Sequence, residues 1–185
     1  VVGVLVGGLA AGGLSALALR GSGLAGRQSI GWVSASRRSL FFAGIAGAAL
    51  AGLYLVAAAY IPEPPGRSFG PVTSAVAGGG SARHLWALLA MVLAPPIEEF
   101  VFRGVLFGGL SRSWSPAPAG ALVTLIFVCA HLGEVSGHPT AIAWVGVLGI
   151  VLLWVRVRTG SLLPGVVLHG FYNLVLVIAV YAGTT

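Results

Sequence analysis

The chain contains no lysine and no aspartate. Its 185 residues include one cysteine, one methionine and only four acidic side chains, Glu63, Glu98, Glu99 and Glu134. An ordinary soluble domain carries charge on about a quarter of its residues; here the share is 8%, against 57% hydrophobic. The mean hydropathy of +1.00 agrees. So little charge excludes a water-facing surface over most of the chain, which is read as a membrane protein. The lone Cys129 excludes an internal disulfide, and it is expected to be a small apolar residue buried in a helix. All ten cations are arginine, and no basic stripe with interleaved aromatics occurs, which argues against a nucleic-acid partner. The +6 formal charge bears instead on orientation, because basic loops resist crossing a bilayer.

What the chain does have is long apolar runs. A span needs about 20 mostly apolar residues, and six segments meet or approach this: Val1–Leu19, Ser39–Ile61, His84–Leu110, Ala117–Leu132, Thr140–Val155 and Leu162–Ala182. The fold class expected is all-α, a polytopic transmembrane bundle of about six helices with a kinked third helix. The fourth and fifth runs are short enough for kinked or partial spans. Residues 1–61 form N-terminal transmembrane helices, 62–83 a Pro/Gly-rich irregular loop, and 84–182 a core. The opening run has no basic flank before it and is too long for a signal-peptide core, so it is expected to be a true span of a chain trimmed at its start.

Arg20, Arg27, Arg37, Arg38, Arg112, Arg156 and Arg158 fall in the first, third and fifth connections, which should face the cytoplasm. Trp32, Trp86, Trp114 and Trp154 lie near segment ends, as interfacial anchors would, and His84 is placed at the interface too. Gly3/Gly7, Gly8/Gly12 and Gly104/Gly108 are small pairs that let backbones approach closely. The arginine-only, Ala/Gly-rich composition points to a GC-rich bacterium, hence to an integral protein of a bacterial cell membrane.

Against this apolar background the stretch Ala94 to Gly104, APPIEEFVFRG, places two carboxylates side by side after two prolines. Pro95 and Pro96 should kink the helix or restart it near Pro96, leaving the glutamates in a first turn where the dipole favours negative charge. Adjacent helical residues diverge by about 100°, so the two cannot face one target. Arg103 follows Glu99 by four residues, the favoured orientation for an ion pair. Glu99–Arg103 is therefore expected to pair, leaving Glu98 as the uncommitted carboxylate. Intramembrane ionisable groups are costly to keep and mark functional sites.

Three more polar residues interrupt apolar runs: His131 in FVCAH, and His169 and Asn173 one turn apart in LHGFYN. With Glu98 they come from three segments, each of which must bury a polar group that needs a partner. His131 lies near the outer end of its segment and His169 nearer the inner end of its own, so a kink or tilt is needed to join them. Glu134 and His138 are placed in a short outer loop, with Glu134 read as a solvated acid.

The order Glu98-Glu99-x-x-x-Arg103, Phe127-x-x-x-His131 and His169-x-x-x-Asn173 on successive apolar segments resembles the CPBP family of membrane proteases, which joins the CAAX prenyl proteases to bacteriocin-processing and immunity-related proteins. The resemblance implies an intramembrane glutamate-type endopeptidase. On it, Glu98 matches the glutamate that activates the attacking water and His131 the histidine that helps hold that water. His169 and Asn173 match the pair that stabilises the oxyanion, while Glu99 and Arg103 are supporting. It implies no cofactor, and membrane lipids and a membrane-associated or lipidated peptide as partners. Two other readings stand beside it: a metal-dependent protease holding a divalent ion such as zinc, and a non-proteolytic immunity, scaffold or transport protein. Glu98, His131 and His169 could supply three metal ligands, although no HExxH occurs.

Overall fold

The computed structural model describes residues 13, 28–61, 64, 69–78 and 80–183. The first apolar run apart from Gly13, with its two glycine pairs, and Arg20, Arg27, Glu63 and Arg67 lie outside the described residues. The described chain is helical, and no strand occurs within it. We label the helices α1 (Arg37–Tyr60), α2 (Pro71–Ala77), α3 (Ala82–Leu110), α4 (Pro116–Val135), α5 (Pro139–Thr159) and α6 (Leu163–Ala182). All but the short α2 are long and apolar enough to cross a membrane, which makes a polytopic helical bundle.

Local chemistry sets many of the boundaries. The Ser36 hydroxyl accepts from Ser39 N (3.1 Å) and caps α1. Pro116 and Pro139 open α4 and α5 at a position where a missing N–H costs nothing. Gly160, left-handed at φ 67°, ends α5. Three sequence expectations change here. First, α4 and α5 are full-length spans, 20 and 21 residues, because Gly133 to Val135 and Arg156 to Thr159 remain helical. Second, the 62–83 segment is not irregular throughout, since it contains α2 and the start of α3. Third, Cys129 is helical but exposed, on the outer face of α4.

The predicted restart at Pro96 does not occur either. The backbone stays in the right-handed helical region through Leu93 and Ala94, and α3 passes the prolines with wide i→i+5 turns at Leu89–Leu93 and Phe100–Leu106. Ala94 N bonds to Leu89 O in the wide register. In that register Pro95 would serve the carbonyl of Ala90, and it has no hydrogen to give. The Asn173 amide of α6 donates there instead, Nδ2 to Ala90 O at 2.8 Å. A partner from another helix thus replaces the lost bond, and Glu98 and Glu99 sit in mid-helix rather than in a first turn.

The longest seam joins α1 to α6. Ala43, Gly44, Gly47 and Ala51 make a buried small-residue face on α1, and at Gly47 the backbone lies directly against the Leu168 carbonyl, where a Cβ has no room. Around this seam Leu148, Leu152 and Val155 of α5 and Leu168 and Tyr172 of α6 complete one core. A second core, Phe102, Phe107, Ala119, Val123 and Phe127, joins α3 to α4. Gly104 and Gly108 face the backbone of Ile30 and Ser29, so that pair receives the turn before α1. Arg156, read as a loop cation, is buried in the last turn of α5 and donates to Ser29 O (3.3 Å).

Candidate active site

The two carboxylates of α3 turn to different surroundings, as their divergence around the helix requires. Glu99 is inside the protein. Arg103 donates from Nη1 to Glu99 Oε1 (3.0 Å) and from Nη2 to the Gly149 carbonyl of α5 (3.1 Å), and both side chains are essentially inaccessible, at 1% and 0% exposure. A buried ion pair holds only where further hydrogen bonds offset the loss of water, and the Gly149 carbonyl supplies one of them. The Phe127 ring lies 4.3 Å from the guanidinium carbon and covers its face. At Gly165 of α6 an added Cβ would sit 2.9 Å from Glu99 Oε2, so the missing side chain makes room for the carboxylate.

Glu98 faces a cavity. Its Oε2 lies 3.6 Å from His131 Nε2 and 3.8 Å from His169 Nε2, and no hydrogen bond reaches that oxygen. The Glu98 side chain is 12% exposed, against 24% for His131 and 3% for His169. His131 Nδ1 is 2.8 Å from the Phe127 carbonyl. A carbonyl can only accept, so Nδ1 carries a proton and donates it, and the other ring nitrogen, Nε2, is turned towards Glu98. His169 Nδ1 is 3.4 Å from Glu99 Oε1, which places this ring between the two carboxylates. The structure therefore brings Glu98, His131 and His169 around one point although His131 sits late in α4 and His169 early in α6. Glu99 and Arg103 stand behind that point. Asn173, one turn along α6, lines the same cavity but commits one amide hydrogen to Ala90 O. Among the described residues, no three His, Cys, Asp or Glu side chains are grouped as ligands of one metal ion.

The cavity holds about 710 Å³, and all six helices contribute to its walls, a size suited to a ligand of some length. Its far walls are apolar: Tyr54, Leu55 and Ala58 of α1, and Leu176 and Val180 of α6. None of these stood out in the sequence, where α1 is one apolar run like any other. Trp86, read as an interfacial anchor, is on the cavity wall. Glu134 is also corrected. It belongs to α4, not to a solvated loop, and its carboxylate accepts from Val72 N (3.1 Å) and Thr73 N (2.6 Å) at the start of α2. The helix N-terminus supplies unsatisfied donors that a carboxylate matches. His138 is buried, its ring stacked on Phe69 at 3.9 Å between centroids and 6° between planes.

A family model described as type II CAAX prenyl endopeptidase, Rce1-like, matches residues 80–175. That range contains Glu98, Glu99, Arg103, His131, His169 and Asn173. No curated protein and no solved structure matches the chain.

Proposed function

This chain belongs to the type II CAAX prenyl endopeptidase Rce1-like family, a protease family, and from that premise we propose an intramembrane endopeptidase of the glutamate type. The observation that supports it most is the convergence of Glu98 Oε2 with the Nε2 atoms of two histidines at the wall of a cavity between membrane-spanning helices. A water molecule within hydrogen-bond reach of both Glu98 Oε2 and His131 Nε2, about 2.8 Å from each, fits the 3.6 Å gap as the apex of a triangle. With Glu98 ionised and the His131 ring neutral, both flanking atoms accept, so each takes one hydrogen of that water and its oxygen lone pair is left to attack.

The step follows. Glu98 takes a proton as the water oxygen bonds to the peptide carbonyl carbon, and the carbonyl electron pair moves onto oxygen. His169 and Asn173 are the donors proposed for that oxyanion. His169 can give a hydrogen from Nε2 only as the doubly protonated ring, because Nδ1 faces Glu99, which accepts. Asn173 has its second Nδ2 hydrogen to give. Collapse of the intermediate breaks the C–N bond, and the proton held by Glu98 passes to the leaving amine. Arg103 fixes Glu99, and Glu99 fixes the His169 ring.

For the substrate, the family description points to prenylated CAAX peptides, and the apolar walls along Tyr54, Leu55, Leu176 and Val180 suit a membrane-associated or lipidated peptide. No cofactor is part of this proposal; hydrolysis that disappears on exhaustive chelation and returns with added zinc would contradict it. The experiment that tests the reading is incubation of the purified protein in lipid nanodiscs with prenylated and unmodified peptide libraries, with products identified by mass. A defined internal cleavage by the wild type and none by Glu98→Gln is expected. Equal products from both, or none from a folded wild type across both libraries, would favour the non-proteolytic scaffold or transport role instead.

A further inference from the structure

Glu134 is used by none of the steps above, yet its carboxylate is engaged on both oxygens by a segment that closes one side of the cavity. Val72 N and Thr73 N donate to Oε2 and Oε1, and Gly70 N donates to the Glu134 backbone carbonyl at 2.8 Å. Gly70 passes so close to α4 that an added Cβ would lie 2.5 Å from Gly133 O and 2.6 Å from Glu134 Cα. One residue earlier, Phe69 stacks on His138 at the start of α5. Phe69, Val72, Thr73 and Val76 all line the cavity that contains Glu98 and His131. Glu134 is three residues beyond His131, nearly one turn along the same helix.

We propose that Glu134 is a positioning residue for the substrate: its carboxylate latches the 69–78 segment to α4 as one wall of the cavity, and the latched wall holds the peptide in place. This rests on the proteolytic reading for its consequence but not for its existence. Inside a helix bundle a seven-residue helix cannot hold its place by its own backbone bonds. The two carboxylate bonds, the Gly70 bond and the Phe69–His138 stack join this segment to α4 and α5, beside its packing on α3 and α6. Three of the four involve either Glu134 or the glycine that lets the backbone reach it. The apolar side chains of Val72 and Val76 then face the cavity, where they would meet the residues flanking the scissile bond and so help select an apolar peptide.

The test is hydrogen exchange together with steady-state kinetics on Glu134→Ala and Glu134→Gln in nanodiscs. In the alanine variant the Val72 and Thr73 amides should exchange faster by about tenfold or more, with the α6 amides from Leu168 to Tyr172 unchanged as the control for folding. Glutamine keeps one acceptor oxygen and should fall between. KM for a cleaved peptide should rise about threefold or more in the alanine variant with kcat nearly unchanged, since the lost contact holds substrate rather than the transition state. Phe69→Ala, which loosens the wall from its other side without touching α4, should give the same pattern. Unchanged protection at Val72 and Thr73 would overturn the latch. Faster exchange with unaltered KM would overturn its role as a substrate wall, as would a fall in kcat alone. If the folded wild type cleaves nothing, the proteolytic reading fails and the KM arm with it, while the exchange result still decides the latch.

Discussion

Asn173 donates from Nδ2 to the Ala90 carbonyl at 2.8 Å, the bond that Pro95 cannot make within its own helix. Asn173→Ala should therefore destabilise the bundle by about 0.5–1.5 kcal/mol, the net worth of one hydrogen bond to a half-buried carbonyl. Pro95→Ala restores an N–H in the wide register, so the double variant should recover most of the loss in a thermal-melt cycle. If its stability returns while hydrolysis does not, the second amide hydrogen of Asn173 is serving the oxyanion.

Breaking the Glu99–Arg103 pair should cost more than any surface change. Glu99→Gln leaves the Arg103 guanidinium buried at 0% exposure without its counter-charge, a loss on the order of 3–5 kcal/mol. Removing both charges in Glu99→Leu/Arg103→Met should be less harmful than the single change. Yield and monodispersity after extraction, followed by unfolding in detergent, would measure the order; a single variant as stable as wild type would contradict the burial argument.

At the α1–α6 seam, Gly47→Ala places a methyl group against the Leu168 carbonyl. Backbone cannot give way as a flexible side chain does, so overpacking of about 1–3 kcal/mol is expected. Gly52→Ala on the same helix, where nothing lies within 4 Å of the added carbon, should be neutral or slightly stabilising. Equal melting temperatures for the two variants would contradict this account of the seam.

The membrane-spanning character was legible from apolar runs, and the Glu99–Arg103 pair from four-residue spacing. Several of the differences share one physical origin: local rules act on neighbours in sequence, while the deciding partners are distant in sequence. Local rules place Glu134 in solvent because the N–H groups of Val72 and Thr73 lie 62 and 61 residues away. The same rules place Arg156 in a loop because Ser29 O is 127 residues away. Pro95 and Pro96 predicted a break because the compensating amide is on α6. Cys129 and the wall residues Tyr54 and Trp86 illustrate a different limit: a helix that is apolar all round carries no periodicity to tell its lipid face from its cavity face.

The central claim is that the Glu98 carboxylate activates the water that attacks the peptide. Its most direct test is the single-turnover rate of cleavage of one identified peptide by wild type and by Glu98→Gln in nanodiscs, at matched amounts of protein with the same melting temperature. Loss of a general base should slow the variant by about 10²–10⁴-fold with peptide affinity retained. A rate within a few-fold of wild type would contradict the account.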